Sequence, residues 1–321
     1  MDSKLKIWVK VSCDANVRNE LKMKFQNKCD FNFTDDNEPF PCNQAEIIIG
    51  EPSRKEILMG KNIKWIQLTW AGADKYIELK DIMKNIILTN ASGAFGEIIS
   101  EYVIGAIISL YRKFPQYWKN QQNHIWAKSN SSYTIFGKKV LILGTGDIGR
   151  NIACRLRAFD ADISGIRRKK SNEPIEGFDK VFDLSSLDNL IPKADIIIGC
   201  LPSTEKTKGL MTYNRLKNMK KDAIFINVGR GDLVEDNDLV KALKLGHLKG
   251  AALDVMSEEP LAVNSDLWDM ENVIITPHIA GPSFDGNKNV QDSIWKLCIE
   301  NIERYLNGKE LINVVDFSQG Y

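Results

Sequence analysis

The chain has 321 residues, 43% of them apolar and 26% charged, a size that exceeds one ordinary hydrophobic core and leads to an expectation of two domains. With 43 basic against 42 acidic side chains the net charge is +1, which supplies no field to draw in nucleic acid or an anionic membrane. No apolar run reaches the length of a membrane span and no signal core follows Met1-Asp2-Ser3-Lys4, so the expected compartment is the cytoplasm.

In chain order, 5–11 reads as a strand and 16–25 as a helix with Val17, Leu21 and Phe25 on one face. Strands are expected at 46–50, 65–69 and 86–89. This alternation favours a parallel sheet covered by helices. A largely apolar helix follows at 100–111 and runs into an aromatic, Asn/Gln-rich segment to about Ser132. A second α/β series opens at Lys138, with a buried-strand run at 140–143 and a helical pattern at 151–159. Further strands are expected at 163–166, 195–200, 223–227, 250–254 and 273–276, and a helix at 237–245 carries Leu239, Val240 and Leu243 on one face. An amphipathic helix spans about 290–306. There is no internal repeat and no low-complexity segment.

The run Val140-Leu141-Ile142-Leu143-Gly144-Thr145-Gly146-Asp147-Ile148-Gly149 is a strand entering G-x-G-x-x-G. Gly144 permits the tight turn, Gly146 lets a pyrophosphate approach the backbone, and Gly149 lets the next helix pack on the sheet. The helix start offers N–H groups and positive potential to phosphates. About 140 residues precede this loop and a helix follows the last strand of the series. The nucleotide domain is therefore expected to be an insertion, at 99–286, within a substrate domain made of 1–98 and 287–321. At the end of the next strand, an acid would accept hydrogen bonds from the adenosine ribose. Here stand Arg167, Arg168, Lys169 and Lys170. The missing acid and the guanidinium groups favour a 2′-phosphate, hence NADP(H) over NAD(H). A solvated basic turn with NAD(H) bound is the alternative.

Arg230 in Asn227-Val228-Gly229-Arg230-Gly231, Glu259 in Asp254-Val255-Met256-Ser257-Glu258-Glu259-Pro260, and His278 in Thr276-Pro277-His278-Ile279-Ala280-Gly281 each fall at or beyond a successive strand end. Ligands bind at that carboxyl edge in open α/β sheets. A cation for a carboxylate, an imidazole and a carboxylate to tune it would serve hydride and proton addition to a 2-keto acid. Each alone would pass for an ion pair or a cap. His124 lies in a polar stretch and His247 suits a helix end. The six cysteines show no C-x-x-C spacing, so neither a disulfide framework nor a metal site is expected.

Taken together, these motifs resemble the D-isomer-specific 2-hydroxyacid dehydrogenase family, in its short glyoxylate/hydroxypyruvate reductase-like form. Ala71-Gly72-Ala73-Asp74, Ser100-Glu101-Tyr102, Cys200-Leu201-Pro202 and Asn313-Val314-Val315-Asp316 extend the likeness over essentially the whole chain. The resemblance implies a Rossmann-type doubly wound sheet inserted into a flavodoxin-like substrate domain, usually in a homodimer. It implies that Arg230 and the amides around Gly72 and Ala73 hold the substrate carboxylate, that His278 gives a proton to the C2 oxygen, and that Glu259 supports His278. Asp254 would meet the nicotinamide carboxamide. The cofactor would further contact Thr145, Asp147, Ile148, Cys200, Leu201, Pro202, Thr207, Val228, Gly229, Ala280 and Gly281. Met256 and Ala262 depart from commoner residues of the family at positions without chemistry. The side-chain pocket is expected to draw on 65–76, Phe95 and 111–126, whose aromatics would alternatively build the dimer interface. Which keto acid is reduced is not encoded in the trio, which reads only what all 2-keto acids share. A corepressor-like, NAD(P)-sensing binding protein is the reading from another class.

Overall fold

The computed structural model describes residues 4–33, 42–129, 132–169, 173–284 and 287–320. It divides into two units, Met1–Ala94 with Pro282–Tyr321, and Phe95–Gly281. These divisions lie at 94/95 and 281/282, against the expected 98/99 and 286/287.

The first unit is built on five parallel strands: β1 (Leu5–Val9), β2 (Cys29–Phe33), β3 (Ile47–Ile49), β4 (Trp65–Gln67) and β5 (Ile87–Thr89), in the order β2-β1-β3-β4-β5. That is the flavodoxin-like order. Helices α1 (Ala15–Phe25), α2 (Arg54–Met59) and α3 (Asp74–Ile77) connect them. Asp14 caps α1 through Val17 N, and Ser53 with Glu56 closes a capping box on α2, which satisfies amides that a helix start leaves open. Strand β2 is not among the expected elements. Its Cys29, Phe31 and Phe33 alternate with Asp30 and Asn32 at a sheet edge, so its inward face is carried by only three residues.

The C-terminal helix, Lys288–Leu306, belongs to this unit. Asn301 Nδ2 donates to Gln67 Oε1 at 2.8 Å, Thr89 Oγ1 donates to the same oxygen, and Trp65 Nε1 donates to Thr89 Oγ1. All four side chains are fully buried, and Trp65 also stacks on Tyr305. Buried polar groups persist only when paired, so this network specifies how the returning helix seats. Trp65 and Tyr76, expected near a substrate pocket, are buried instead. Tyr76 donates its hydroxyl to Pro52 O.

The second unit opens with α4 (Gly96–Tyr111) and α5 (Phe114–Gln122). Helix α4 begins four residues before the expected Ser100. A Cβ at Gly96 would stand 2.2 Å from Asn151 Nδ2 and 2.7 Å from the Asp147 carboxylate, so the first turn packs closely on this unit. Then come β6 (Lys139–Leu143), α6 (Asp147–Leu156), β7 (Asp162–Arg167), β8 (Lys180–Asp183), α7 (Leu187–Leu190), β9 (Ile196–Gly199), α8 (Tyr213–Lys217), β10 (Ile224–Asn227), α9 (Asp236–Lys244), β11 (Gly250–Leu253) and β12 (Val273–Ile275). Seven parallel strands lie in the order β12-β11-β10-β9-β6-β7-β8. Counted within the unit this is the doubly wound order, and it reverses between β6 and β9. The runs Val140–Leu143 and Ile196–Ile198 are buried throughout, as strands covered on both faces require. Among the described residues no helix is long and apolar enough to cross a membrane.

Candidate active site

At the sheet's switch point, β6 ends in the glycine loop. Gly144 has φ +113°, and a Cβ there would meet Cys200 O at 2.8 Å. A Cβ on Gly149 would lie 2.0 Å from Gly144 O. Both positions therefore exclude any side chain. Gly146 faces open space, which is what a phosphate approaching the backbone needs. The first turn of the ten-residue helix α6 starts there, so Thr145, Gly146, Asp147 and Ile148 line an anion-receptive helix start. The Asp147 side chain is turned to another task. Asn151 Nδ2 donates to it at 3.1 Å, and it also accepts from the Gly96 N–H; burial pushes its pKa up against those bonds. It therefore tethers α4 to α6.

Cys200 follows β9 and packs its sulfur on the loop, donating to Leu143 O at 3.2 Å and Gly144 O at 3.3 Å. Burial pushes this thiol up to about 12, so it is the protonated form that packs there. Beyond Leu201 and Pro202, the Thr207 hydroxyl donates to Pro202 O at 2.6 Å and accepts from Thr204 N at 2.8 Å. Thr207 thus shapes the loop from inside. Arg167 ends β7, the strand beside β6, and Arg168 and Lys169 follow it, both exposed. Lys170 lies outside the described residues.

The Arg230 turn is folded by Asn227, the polar last residue of a buried strand. Asn227 Nδ2 donates to Arg230 O at 2.8 Å, and its Oδ1 accepts from Gly229 N at 3.2 Å. Val228 N donates to Gly199 O, which holds the turn against β9. A Cβ on Gly229 would meet Leu201 O at 2.7 Å, and one on Gly231 would overlap Met256 O at 1.6 Å. The Arg230 turn therefore touches the segment that carries Glu259.

Glu259 and His278 meet directly. His278 Nδ1 donates to Glu259 Oε2 at 2.9 Å, while Glu259 Oε1 accepts from Met256 N at 3.1 Å. With Nδ1 committed, Nε2 is the nitrogen left for proton transfer. His278 has φ +56°, a left-handed conformation that costs a non-glycine residue about 1 kcal/mol or more. Asp254, at the end of β11, holds it there. Its backbone oxygen accepts from His278 N at 2.8 Å, Oδ1 accepts from Ile279 N at 2.9 Å and Thr276 Oγ1 at 2.6 Å, and Oδ2 accepts from Ala280 N at 3.0 Å. Tyr102 of α4 shares a hydrogen bond with Thr276 at 2.7 Å. Gly281 packs against Ile99, where a Cβ would come within 2.9 Å.

The second unit thus brings Arg230, Asp254, Glu259 and His278 to the carboxyl edges of the adjacent strands β10, β11 and β12. Gly72 and Ala73 belong to the first unit. There the amides of both residues meet no acceptor among the described residues. Asn227, Thr276 and Tyr102 brace these turns; each stands in a motif quoted from the sequence, but its bracing contact is not written there. A polar residue closing an apolar strand is a local signal for Asn227, whereas Tyr102 and Thr276 pair across 174 residues, which no local pattern encodes. His247 does not act on the carbonyls of its own helix: its Nε2 pairs with Met219 O, just beyond α8.

Residues 104–280 match the family model described as the D-isomer specific 2-hydroxyacid dehydrogenase, NAD binding domain. A glyoxylate reductase of Thermofilum pendens is 32% identical over 256 residues, covering 77% of this chain and 73% of that one. A D-isomer specific 2-hydroxyacid dehydrogenase family protein of Aeromonas salmonicida superposes with a TM-score of 0.87 at 33% identity, covering 98% of this chain and 100% of the other. A D-isomer specific 2-hydroxyacid dehydrogenase of Xanthobacter autotrophicus, crystallised with NADPH and MES, gives 0.82 at 25% identity over 99% and 100% of the two chains.

Proposed function

The chain belongs to the D-isomer-specific 2-hydroxyacid dehydrogenase family and is an NAD(P)-dependent oxidoreductase of 2-hydroxy acids, and from that premise we propose that it is an NADP(H)-preferring reductase of small 2-keto acids. The observation that carries the reading is the 2.9 Å pair between His278 Nδ1 and Glu259, on the sheet edge that also bears the glycine loop. The loop around Gly144, Gly146 and the start of α6 would hold the pyrophosphate, and Arg167, Arg168 and Lys169 the 2′-phosphate. A dinucleotide held there would supply the hydride. His278 delivers the proton to the C2 oxygen from Nε2, Glu259 holds the imidazole through Nδ1, and Arg230 binds a carboxylate; we read the Gly72 and Ala73 amides of the first unit as a carboxylate grip of their own. Cations facing the C2 oxygen stabilise the negative charge that develops there, a term of about several kcal/mol in sites of this kind.

The basic end of β7 supports NADP(H), and the Xanthobacter protein was crystallised with NADPH. Steady-state reduction of glyoxylate, hydroxypyruvate, pyruvate and a branched 2-keto acid, with NADPH and NADH in parallel, tests the reading. The expected result is turnover with a lower KM for NADPH. Preference for NADH would remove the role given to Arg167 and Arg168, and no turnover of any keto acid would remove the reaction. His278→Ala is expected to lower kcat by roughly 10²–10⁴-fold, the usual worth of a positioned acid, with NADPH affinity kept. Equal loss of both would make the histidine structural. We also read the exposed aromatics Phe114, Tyr117, Trp118 and Trp126 as the seat of a second copy in a homodimer.

A further inference from the structure

Strand β3 runs out through Gly50 into Glu51, a residue the reaction itself does not use. Gly50 has φ +123°, and a Cβ there would press on Lys10 and Val11 at 3.1 Å, so the chain turns sharply at this point. Pro52 is buried and Ser53 caps α2 through its box with Glu56. Glu51 is thereby presented on a braced turn, with its carboxylate directed at the end of β4. Thr69 N donates to Glu51 Oε1 at 2.7 Å, and Thr69 Oγ1 lies 3.0 and 3.1 Å from the two carboxylate oxygens. The Trp70 N–H points to the same carboxylate.

The residues immediately after Thr69 and Trp70 are Ala71, Gly72 and Ala73, and the segment is tied at both ends. Asn90 Nδ2 donates to Ala71 O at 2.9 Å and Ala91 N donates to Trp70 O at 2.8 Å. Tyr76, one turn further on, donates to Pro52 O at 3.0 Å, which ties the far end of the loop to the turn that bears Glu51. Within this frame the Gly72 and Ala73 amides meet no acceptor among the described residues. An amide grip discriminates by geometry, since hydrogen bonds weaken steeply with angle and distance. Its worth depends on the frame that aims it.

We propose that Glu51 is a positioning residue that sets the Gly72–Ala73 amide grip for the substrate carboxylate by anchoring Thr69 and Trp70. This rests on the reading that those amides bind the substrate carboxylate. Burial pushes the Glu51 carboxyl up, the Thr69 and Trp70 donors pull it back, and Lys10 adds a weaker attraction. A buried carboxylate is costly unless such bonds are kept, so anchor and loop hold each other in one arrangement.

The test uses the full chain, glyoxylate as varied substrate and oxamate as a non-reacting carboxylate probe. Glu51→Gln keeps the shape but turns an NH₂ group toward donors that need an acceptor. It is expected to raise the glyoxylate KM and the oxamate inhibition constant about tenfold or more, the scale of one lost charged hydrogen bond. Its kcat is expected to stay within about threefold, the NADPH dissociation constant unchanged. Thr69→Val removes only the hydroxyl bond and should produce a smaller rise of the same kind, which keeps the proposal testable if Glu51→Gln folds poorly. An unchanged KM in both variants overturns the role of Glu51 while leaving the reductase reading intact. A parallel loss of kcat, NADPH binding and melting temperature also overturns it, because that pattern marks a general structural role. Failure of the wild-type chain to reduce any 2-keto acid is the separate outcome that removes the underlying reading, and this proposal with it.

Discussion

Asp254 shows how one buried carboxylate fixes the backbone of His278, the residue proposed as the proton donor. Its side chain accepts three protein hydrogen bonds, and its backbone oxygen accepts a fourth from His278 N. These bonds offset the left-handed conformation of His278. Asp254→Asn replaces an acceptor-only group with one that also donates, leaving a buried N–H unmatched at about 1–3 kcal/mol. Displacing a catalytic group by even about 1 Å costs about 10²-fold, so kcat is expected to fall by roughly 10–100-fold. Thr276→Val, which removes one of the bonds, should fall less, and stopped-flow hydride transfer measures both. Elsewhere, the Arg215 guanidinium forks onto Asp188, with bonds of 2.7 and 3.1 Å, and holds its carboxyl below the usual carboxylate range. A depressed folded-state pKa contributes stability above the unfolded pKa and loses it as pH falls through the folded one. Because Asp188 is largely exposed, the pair is worth about 1 kcal/mol or less. Asp188→Asn should lower the melting temperature by roughly 1–3 °C at about pH 7 and by less as the pH is taken down through the carboxylate range, by differential scanning calorimetry.

Elements whose residues alternate or repeat strongly are legible in the sequence itself. The runs at 140–143 and 223–227 are buried strands because nothing but apolar packing explains such clusters of apolar residues. Edge strands β2 and β8 are not legible in the same way, since β2 sets Asp30 and Asn32 on an exposed face and β8 has only two apolar residues, Val181 and Phe182, neither fully buried. Helix α6 starts at Asp147, four residues before the expected 151, because the glycines that weaken helical propensity are needed there for close approach. Gly149→Ala would force a methyl group into Gly144 O, and it is expected to abolish NADPH binding in fluorescence titrations. Helix α5 has no buried residue, and Trp118 and Trp126, in and just beyond it, are exposed. The proposed homodimer predicts a wild-type dimer that becomes a monomer in sedimentation velocity when both are replaced with lysine; a wild-type monomer, or an unchanged sedimentation coefficient, would remove the interface reading.

At the scale of the molecule, each unit has its own sheet and its own buried cluster. A ligand that binds one folded unit stabilises it by about 2.7 kcal/mol at about a hundredfold excess over its dissociation constant. NADPH is therefore expected to raise the thermal transition that reports on Phe95–Gly281, followed by hydrogen exchange in β6 and β10, more than that of the first unit. Composition, strand–helix alternation, the glycine loop and the positions of Arg230, Glu259 and His278 were determined by the sequence alone. Each depends on neighbours a few residues away, and their spacing survives without knowledge of the fold. Only the tertiary structure decided that Asp254 holds both flanks of His278, that Tyr102 reaches Thr276, that Trp65 is core, and that Glu51 braces Thr69. Those pairings join residues far apart in the chain, and strand order and register, which no local pattern encodes, bring them within hydrogen-bonding distance.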